Sequence, residues 1–468
     1  MAELLQRPLT EVRGLLERRE LSAVELMQAT LARIDALNPT LNAFVALRER
    51  DTLLSDAAAA DLRLERGAAR PLEGVPLGVK DLENAAGLVT SEGSVPFKDN
   101  LAESDSVQVS RLRAAGAIVV GKTNAPEFGY TAITKNLLFG VTRNPWNPER
   151  SPGGSSGGSS AAIAGGLIPL ATASDGGGSV RLPASMTGCF GLKCSYGRIP
   201  HESKGWWDMG DTAVHGPLTR SVEDAALHLD LTVGAHPLDP NSLPHPGFSY
   251  RALLRDLPAG LRIGWSSDLG YAVVQSDVGE VAYDAARVFE GLGHRFEEEK
   301  TGLPELGYDW GLGNAFEMIG RLAPLLPEHE HEFGRSFLRG AKAGRKMTPE
   351  IWADLRRRRE QLNRWCADVF GRFDLLLTPT MPFDPPPAAG PFPTETEGRK
   401  QPWASVGSFT IPFNLSWHPA ATVRAGFSRA GLPVGLQIVG PRHRDDLVLQ
   451  AAWAFERARP WIEEWPSI

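Results

Sequence analysis

The chain has 468 residues, 42% of them hydrophobic and 22% charged, with a formal charge of −7 at pH 7. That is the composition of a soluble globular protein long enough to bury a large core, and its acidic balance opposes non-specific contact with nucleic acid or anionic membranes. The three cysteines, Cys189, Cys194 and Cys366, are too few and too irregularly spaced for a disulfide framework or a zinc site. The opening stretch MAELLQRPLTEVRGLLERRE carries charges throughout, and no uncharged apolar run long enough to span a bilayer follows it. The expected setting is therefore the cytoplasm. Residues 1–65 read as a helical layer packed on a larger body. Ser22 and Glu25 form a capping box, and Val24, Met27, Leu31 and Ile34 then share one helical face. Asn38-Pro39 is expected to stop that helix. From residue 74 the pattern changes. GVPLGVKD (74–81) reads as a buried strand, 107–115 as a helix, AIVVG (117–121) as a strand, 159–165 as a small-residue helix and LIPLATA (167–173) as a strand. Later strands fall at 261–265, 374–380, 420–427 and 433–440, the last two joined as a hairpin through Ser428-Arg429-Ala430-Gly431. Strands alternating with helices predict an α/β fold with a mixed sheet. The proline-rich stretches 236–247 and 379–393 read as surface loops rather than linkers, which leaves 1–468 as a single domain. The run Arg356-Arg357-Arg358-Arg359 reads as a solvated helix face.

The chemistry concentrates in SPGGSSGGSSAAIAGGLIPLATASDGGGSVRLP (151–183), which holds two glycine-flanked serine clusters. A flexible linker does not fit, because a buried strand lies between the clusters. A phosphate loop does not fit either, because neither the Walker nor the dinucleotide pattern is present. Gly153-Gly154-Ser155-Ser156-Gly157 satisfies G-x-S-x-G, but it follows the loop sequence Asn144-Pro145-Trp146-Asn147-Pro148 rather than a strand. The reading that uses both clusters makes Gly176, Gly177 and Gly178 a nest whose N–H groups converge on an oxyanion, with Ser179 following as nucleophile. A proton acceptor is then needed. Lys80 ends the apolar run GVPLGV, and burial drives an ammonium group from about 10.4 toward the 7–8 that suits a base. Residue chemistry leaves two readings open: a desolvated base, or a strand-end lysine paired with Asp81 or Glu83.

Further motifs settle the choice by resemblance. GGSSGGS (153–159), DGGGSVR (175–181) and GVPLGVKD (74–81), with KTNAPEF (122–128), RNPWNP (143–148), GPLTRSVED (216–224), LLTPT (376–380) and LPVGLQIVG (432–440), resemble the amidase signature family over most of the chain and in the same order. The resemblance implies a large mixed, twisted sheet covered by helices on both sides. It also implies a Ser–cis-Ser–Lys triad, with Ser179 as nucleophile, Ser155 as the bridging serine after a cis peptide bond, and Lys80 as base. Gly176, Gly177 and Gly178 would form the oxyanion hole. Asp175 and Arg181 would brace the turn, and Ser156 would support it with a hydrogen bond. No metal or cofactor is implied. Gly176 departs from the pattern, since many members carry a bulkier residue there. The implied partner is a small-molecule amide, anilide or carbamate, with no nucleic acid or membrane, in a monomer or homodimer. Substrate contacts are expected from Gly129-Tyr130-Thr131, from Trp206 and Trp207, and from the divergent segment 303–345. No carboxylate-binding arginine stands out near them, so the expected substrate is neutral and fairly apolar. Two rivals remain: the glutaminase subunit of a tRNA-dependent amidotransferase, and a binding protein of the same fold that has lost catalysis.

Overall fold

The computed structural model describes residues 2–201 and 211–468. Among the described residues, eleven strands pair into one sheet. In chain order they are β1 (Phe44–Leu47), β2 (Pro76–Lys80), β3 (Ile118–Thr123), β4 (Leu170–Ala171), β5 (Phe190–Lys193), β6 (Leu218–Thr219), β7 (Arg262–Trp265), β8 (Arg295–Glu298), β9 (Leu375–Pro379), β10 (Ala420–Phe427) and β11 (Pro433–Val439). Across the sheet they lie in the order β1-β3-β2-β4-β6-β5-β10-β11-β9-β7-β8. The sheet is mixed: β2 runs parallel to β3 and β4, and β7 parallel to β8 and β9, while the remaining pairs are antiparallel.

Side chains alternate across a strand, and here both faces are buried. Leu375 and Leu377 of β9 join one apolar cluster with the helices Ser276–Ala286 and Asp445–Ala458, while Leu376 between them joins another with Leu362, Trp365 and Val369. The helices that bear on the site are α1 (Ala23–Leu41), α2 (Gly157–Ala164), α3 (Arg181–Thr187), α4 (Gly307–Leu322) and α5 (Pro349–Arg372). The N-terminal helices share a core with the sheet, Leu26, Met27, Leu31 and Ile34 packing in one cluster with Leu77, Val79 and Val119.

The expected strands and helices fall where the patterns place them, with three differences. The Ser22–Glu25 capping box forms in both directions, but α1 runs through Pro39 to Leu41. It closes on Asn42 in the left-handed region, while the Asn38 side-chain oxygen accepts from the N–H groups of Ala43 and Phe44, each at 2.8 Å. Asn38 thus acts as a turn residue within the last turn of the helix rather than as a stop. The chain so turned enters β1, a short edge strand inside a region expected to be helical; Phe44 is buried and pairs with Thr123. Finally, LIPLATA contributes only Leu170–Ala171 to the sheet, because Pro169 has no N–H to give a ladder.

Candidate active site

Lys80 is the last residue of β2 and is 1% exposed. Its own N–H is donated to Thr172 Oγ1 at 3.0 Å, which fixes the strand end. Its Nζ lies 2.9 Å from Ser155 Oγ, 2.8 Å from Ser156 Oγ, 2.9 Å from Ser174 Oγ and 3.4 Å from the Ser174 carbonyl. The carboxylates offered as alternative partners are engaged elsewhere. Asp81 accepts from both the N–H and the hydroxyl of Ser91, and Glu83 accepts from Ser106 Oγ at 2.7 Å and Gln108 Nε2 at 3.0 Å.

The first serine cluster is held by close packing. The Gly154–Ser155 peptide bond is cis. A Cβ at Gly154 would sit 2.8 Å from the Thr131 carbonyl oxygen, and one at Gly157 would sit 2.2 Å from Thr134 Oγ1. Gly129, in the left-handed region at φ +68°, backs Ser155 so closely that its Cβ would lie 3.1 Å from Ser155 Oγ. Ser156 stands at the N-cap position of α2 without a side-chain cap bond, and its hydroxyl donates to the Ser174 carbonyl at 3.3 Å.

The second cluster is a turn built around a buried ion pair. Asp175 Oδ1 accepts from Gly178 N–H at 2.7 Å, and Oδ2 accepts from Val180 N–H at 3.1 Å and from Arg181 Nε at 3.0 Å. The Arg181 guanidinium, fully buried, also donates to Asp175 Oδ1, to the Thr410 carbonyl, to Gln437 Oε1 and to Asn414 Oδ1. Burial by itself would push the Asp175 carboxyl up, but Arg181 and Asn414 outweigh it and hold the group well below the usual carboxylate range. Asp175 and Arg181 therefore brace the turn in the way two opposite charges can when each has further hydrogen bonds.

This bracing corrects one residue of the expected oxyanion hole. Gly178 does not offer its N–H to the cavity, because the Asp175 carboxylate takes it. Among the described residues, no hydrogen bond takes the N–H groups of Gly176, Gly177 or Ser179.

Ser179 and Gly177 open onto a cavity of about 580 Å³. Gly129, Tyr130 and Thr131 line it as expected, together with Ala132 and Leu182. From the divergent segment come Trp310, Gly311 and Asn314 of α4, and from the proline-rich loop and its sequel come Phe392, Trp403 and Val406. Trp206 and Trp207 lie outside the described residues. Among the described lining residues Lys400 is the sole charged side chain. Gly334 of the same divergent segment is held by Glu127, which accepts from Ser94 Oγ at 2.7 Å and from the Gly334 N–H at 2.9 Å. Tyr130 packs edge-on against Phe337, and a Cβ at Gly340 would strike its hydroxyl.

Sequence reasoning passed over Ser174, Thr410 and Asn414. Ser174 stands beside Asp175 and was within reach of inference, as a third hydroxyl in the same window. Thr410 and Asn414 lie more than 200 residues from the turn they touch, in an ordinary stretch.

The arrangement is a buried amine in contact with three serine hydroxyls, together with Ser179 on the lining of a largely apolar cavity and, among the described residues, uncommitted N–H groups at Gly176, Gly177 and Ser179. Residues 25–449 match the Amidase family model. The chain is 38% identical to an acylamidase of Rhodococcus erythropolis, over 98% of this chain and 96% of that protein. It is 33% identical to a glutamyl-tRNA(Gln) amidotransferase subunit of Geotalea daltonii, over 98% of each. Its fold superposes on the crystal structure of a bacterial aryl acylamidase of the amidase signature enzymes with a TM-score of 0.91, at 31% identity over 97% of this chain and 96% of that one.

Proposed function

The chain belongs to the amidase family and is an amidohydrolase acting on carbon–nitrogen bonds, and from that premise we propose that it cleaves neutral, fairly apolar linear amides and anilides through an acyl-enzyme on Ser179. The observation that carries the substrate class is the cavity beside Ser179, whose lining is apolar apart from hydroxyls, amides and Lys400. A neutral acyl or aryl group loses little on entering such a space, whereas a zwitterion needs a partner for each charge.

The Lys80–Ser155 contact supports the following mechanism. With the Lys80 amine uncharged, the 2.9 Å contact to Ser155 runs from hydroxyl to nitrogen. Ser155 gives its proton to Lys80 and takes one from Ser179, whose oxygen attacks the carbonyl carbon. The N–H groups of Gly176, Gly177 and Ser179 receive the developing oxyanion. The relay then runs backward: Ser155 protonates the leaving nitrogen as the C–N bond breaks and recovers a proton from Lys80. Water gives a proton through Ser155 to Lys80 and attacks the acyl carbon; the bond to Ser179 Oγ then breaks, Ser179 takes its proton back through Ser155 from Lys80, and the acid is released. Ser156 and Ser174 hold Nζ in place while its charge changes. Carbamates and esters present the same carbonyl geometry and are proposed as side substrates. The three cysteines are buried and unpaired, which supports a reducing cytoplasmic setting.

A second reading, the glutaminase subunit of a tRNA-dependent amidotransferase, rests on the 33% identity to the Geotalea protein. The cavity weighs against it, since no carboxylate among the described lining residues is placed to hold the α-ammonium group of glutamine. The deciding experiment is release of 4-nitroaniline from a short acyl-4-nitroanilide by the purified chain and by Ser179→Ala. Release by the parent that vanishes in the variant establishes a free-standing amidase. No release from either, combined with glutamine hydrolysis in the presence of partner subunits, transfers the conclusion to the second reading. Failure of a fluorophosphonate to label Ser179 would point instead to a silent binding protein.

A further inference from the structure

Four consecutive carbonyls of the glycine turn are each held by a donor. Asn414 Nδ2 donates to the carbonyl of Asp175 at 3.0 Å, Trp310 Nε1 to that of Gly176 at 2.8 Å, Thr410 Oγ1 to that of Gly177 at 2.7 Å, and Leu182 N–H to that of Gly178 at 2.7 Å. In a trans peptide the carbonyl of one residue and the N–H of the next lie in one plane and point in opposite directions. Holding the oxygen therefore aims the following N–H. The Gly177–Gly178 plane is held at both ends, its N–H being taken by Asp175. The Gly176–Gly177 plane is different, because its N–H is uncommitted among the described residues and its carbonyl is held by the indole of Trp310.

Trp310 also fixes the identity of the turn. Its ring lies so close to Gly177 that a Cβ there would be 2.5 Å from Cζ2. The residue comes from α4, on the divergent segment 303–345, and lines the cavity beside Ser179. One side chain thus touches both the cavity beside Ser179 and the Gly176–Gly177 peptide.

We propose that Trp310 is a positioning residue for the oxyanion hole, aiming the Gly177 N–H through its hydrogen bond to the Gly176 carbonyl. This rests on the reading of Ser179 as the nucleophile. A wall residue would act on substrate affinity. A residue that aims an oxyanion donor acts on the transition state and leaves ground-state binding nearly unchanged.

The test compares the parent with Trp310→Phe, which keeps an aromatic ring and removes the donor. A second variant replaces Trp310 with β-(3-benzothienyl)alanine, which keeps the bicyclic shape and puts sulfur in place of N–H. Two rates are read: kcat and KM on the acyl-4-nitroanilide, and the second-order rate of Ser179 labelling by a fluorophosphonate. The labelling also passes through an oxyanion but needs no particular amide. Both variants should lose about 10- to 50-fold in kcat and a similar factor in labelling rate, somewhat less than the 10²–10³ expected for deleting a direct donor. KM should stay within about twofold and the melting temperature within a few degrees of the parent. If the benzothienyl variant keeps kcat and labelling rate within twofold, or if its loss is confined to KM, the proposal is wrong. A parent that labels at Ser179 but releases no nitroaniline removes the anilide reading and leaves this test intact through labelling alone. A parent that does not label removes the nucleophile and this proposal with it.

Discussion

Lys80 and Lys193 end two strands of the same sheet, β2 and β5, and each is 1% exposed. What separates them is the kind of oxygen each meets. Lys80 Nζ reaches three serine hydroxyls, one of them on the bridging residue of the proposed relay. Lys193 Nζ donates to the carbonyl of Cys194 at 2.9 Å and sits in the field of the Asp175–Arg181 pair. A carbonyl oxygen has no proton to give, so an amine that meets one can only donate to it, whereas a hydroxyl can give or take. Burial makes the Lys193 amine easier to discharge. Only contact with a hydroxyl on the path to the substrate turns that into base catalysis. A third buried lysine, Lys122 on β3, has a carboxylate as well, donating to the Glu83 carbonyl and to Thr90 Oγ1 and lying 3.8 Å from Asp81 Oδ1.

The largest test of this contrast is to exchange the two losses. Lys80→Ala should lower turnover on the anilide by about 10²–10⁴-fold at neutral pH, the range for removing a general base. Lys193→Met should change it by no more than a few-fold. Steady-state kinetics on both variants decide the matter. Near-normal turnover without Lys80, or a collapse confined to the Lys193 variant, breaks the assignment.

The proposed proton path was only partly legible in the residues themselves: the glycine turn and Ser179 read locally, while Lys80 as base and Ser155 as bridge came from the family resemblance. Lys80, Ser155 and Ser179 each stand in a short window whose neighbours announce a strand end or a close backbone turn, and the glycines explain themselves by what a Cβ would strike. The cavity was only partly legible. Its walls come from 129–132, 310–314 and 392–411, and no local pattern tells that Trp310 or Phe392 faces a space rather than a core. Gly178 shows a finer limit. Three successive glycines offer three equivalent N–H groups on paper, and only the placement of the Asp175 carboxylate decides which one is used up. Pro39 shows that a weak local preference yields when Asn38 and Phe44 supply a better turn and a buried anchor.

A smaller but still sizeable effect should follow from the ion pair beside Lys193. Asp175→Asn leaves the buried guanidinium of Arg181 without its carboxylate, a type of change that costs about 3–5 kcal/mol. Urea denaturation at pH 7 measures it. The pH dependence gives an independent reading. The folded-state pKa of Asp175 is depressed, so its contribution is fully present above the unfolded value of about 3.9 and is lost as pH falls through the folded value. Acid should therefore narrow the gap between parent and variant. A gap that stays constant down to the acid limit assigns the loss to altered packing instead of to charge.

The smallest effect sharpens the contrast most, because it asks what Lys193 does when it is not a base. Burial lowers its pKa to about 7, with Arg181 acting in the same direction and Asp175 opposing. The unfolded chain has the ordinary value near 10.4. Between these two values the unfolded chain binds the extra proton, so stability tied to Lys193 rises with pH across that window. Below about 7 both states are charged, and the folded state carries the full cost of a buried ammonium. Lys193→Met removes that cost and keeps most of the volume. The variant should melt a few degrees above the parent at pH 6, with the difference shrinking steadily between pH 7 and 10. A variant that instead melts below the parent, by an amount independent of pH, makes Lys193 a charged strut for Asp175. In that case the two strand-end lysines differ in charge state as well as in partner, and the loss of stability on removing Lys193 should persist at every pH.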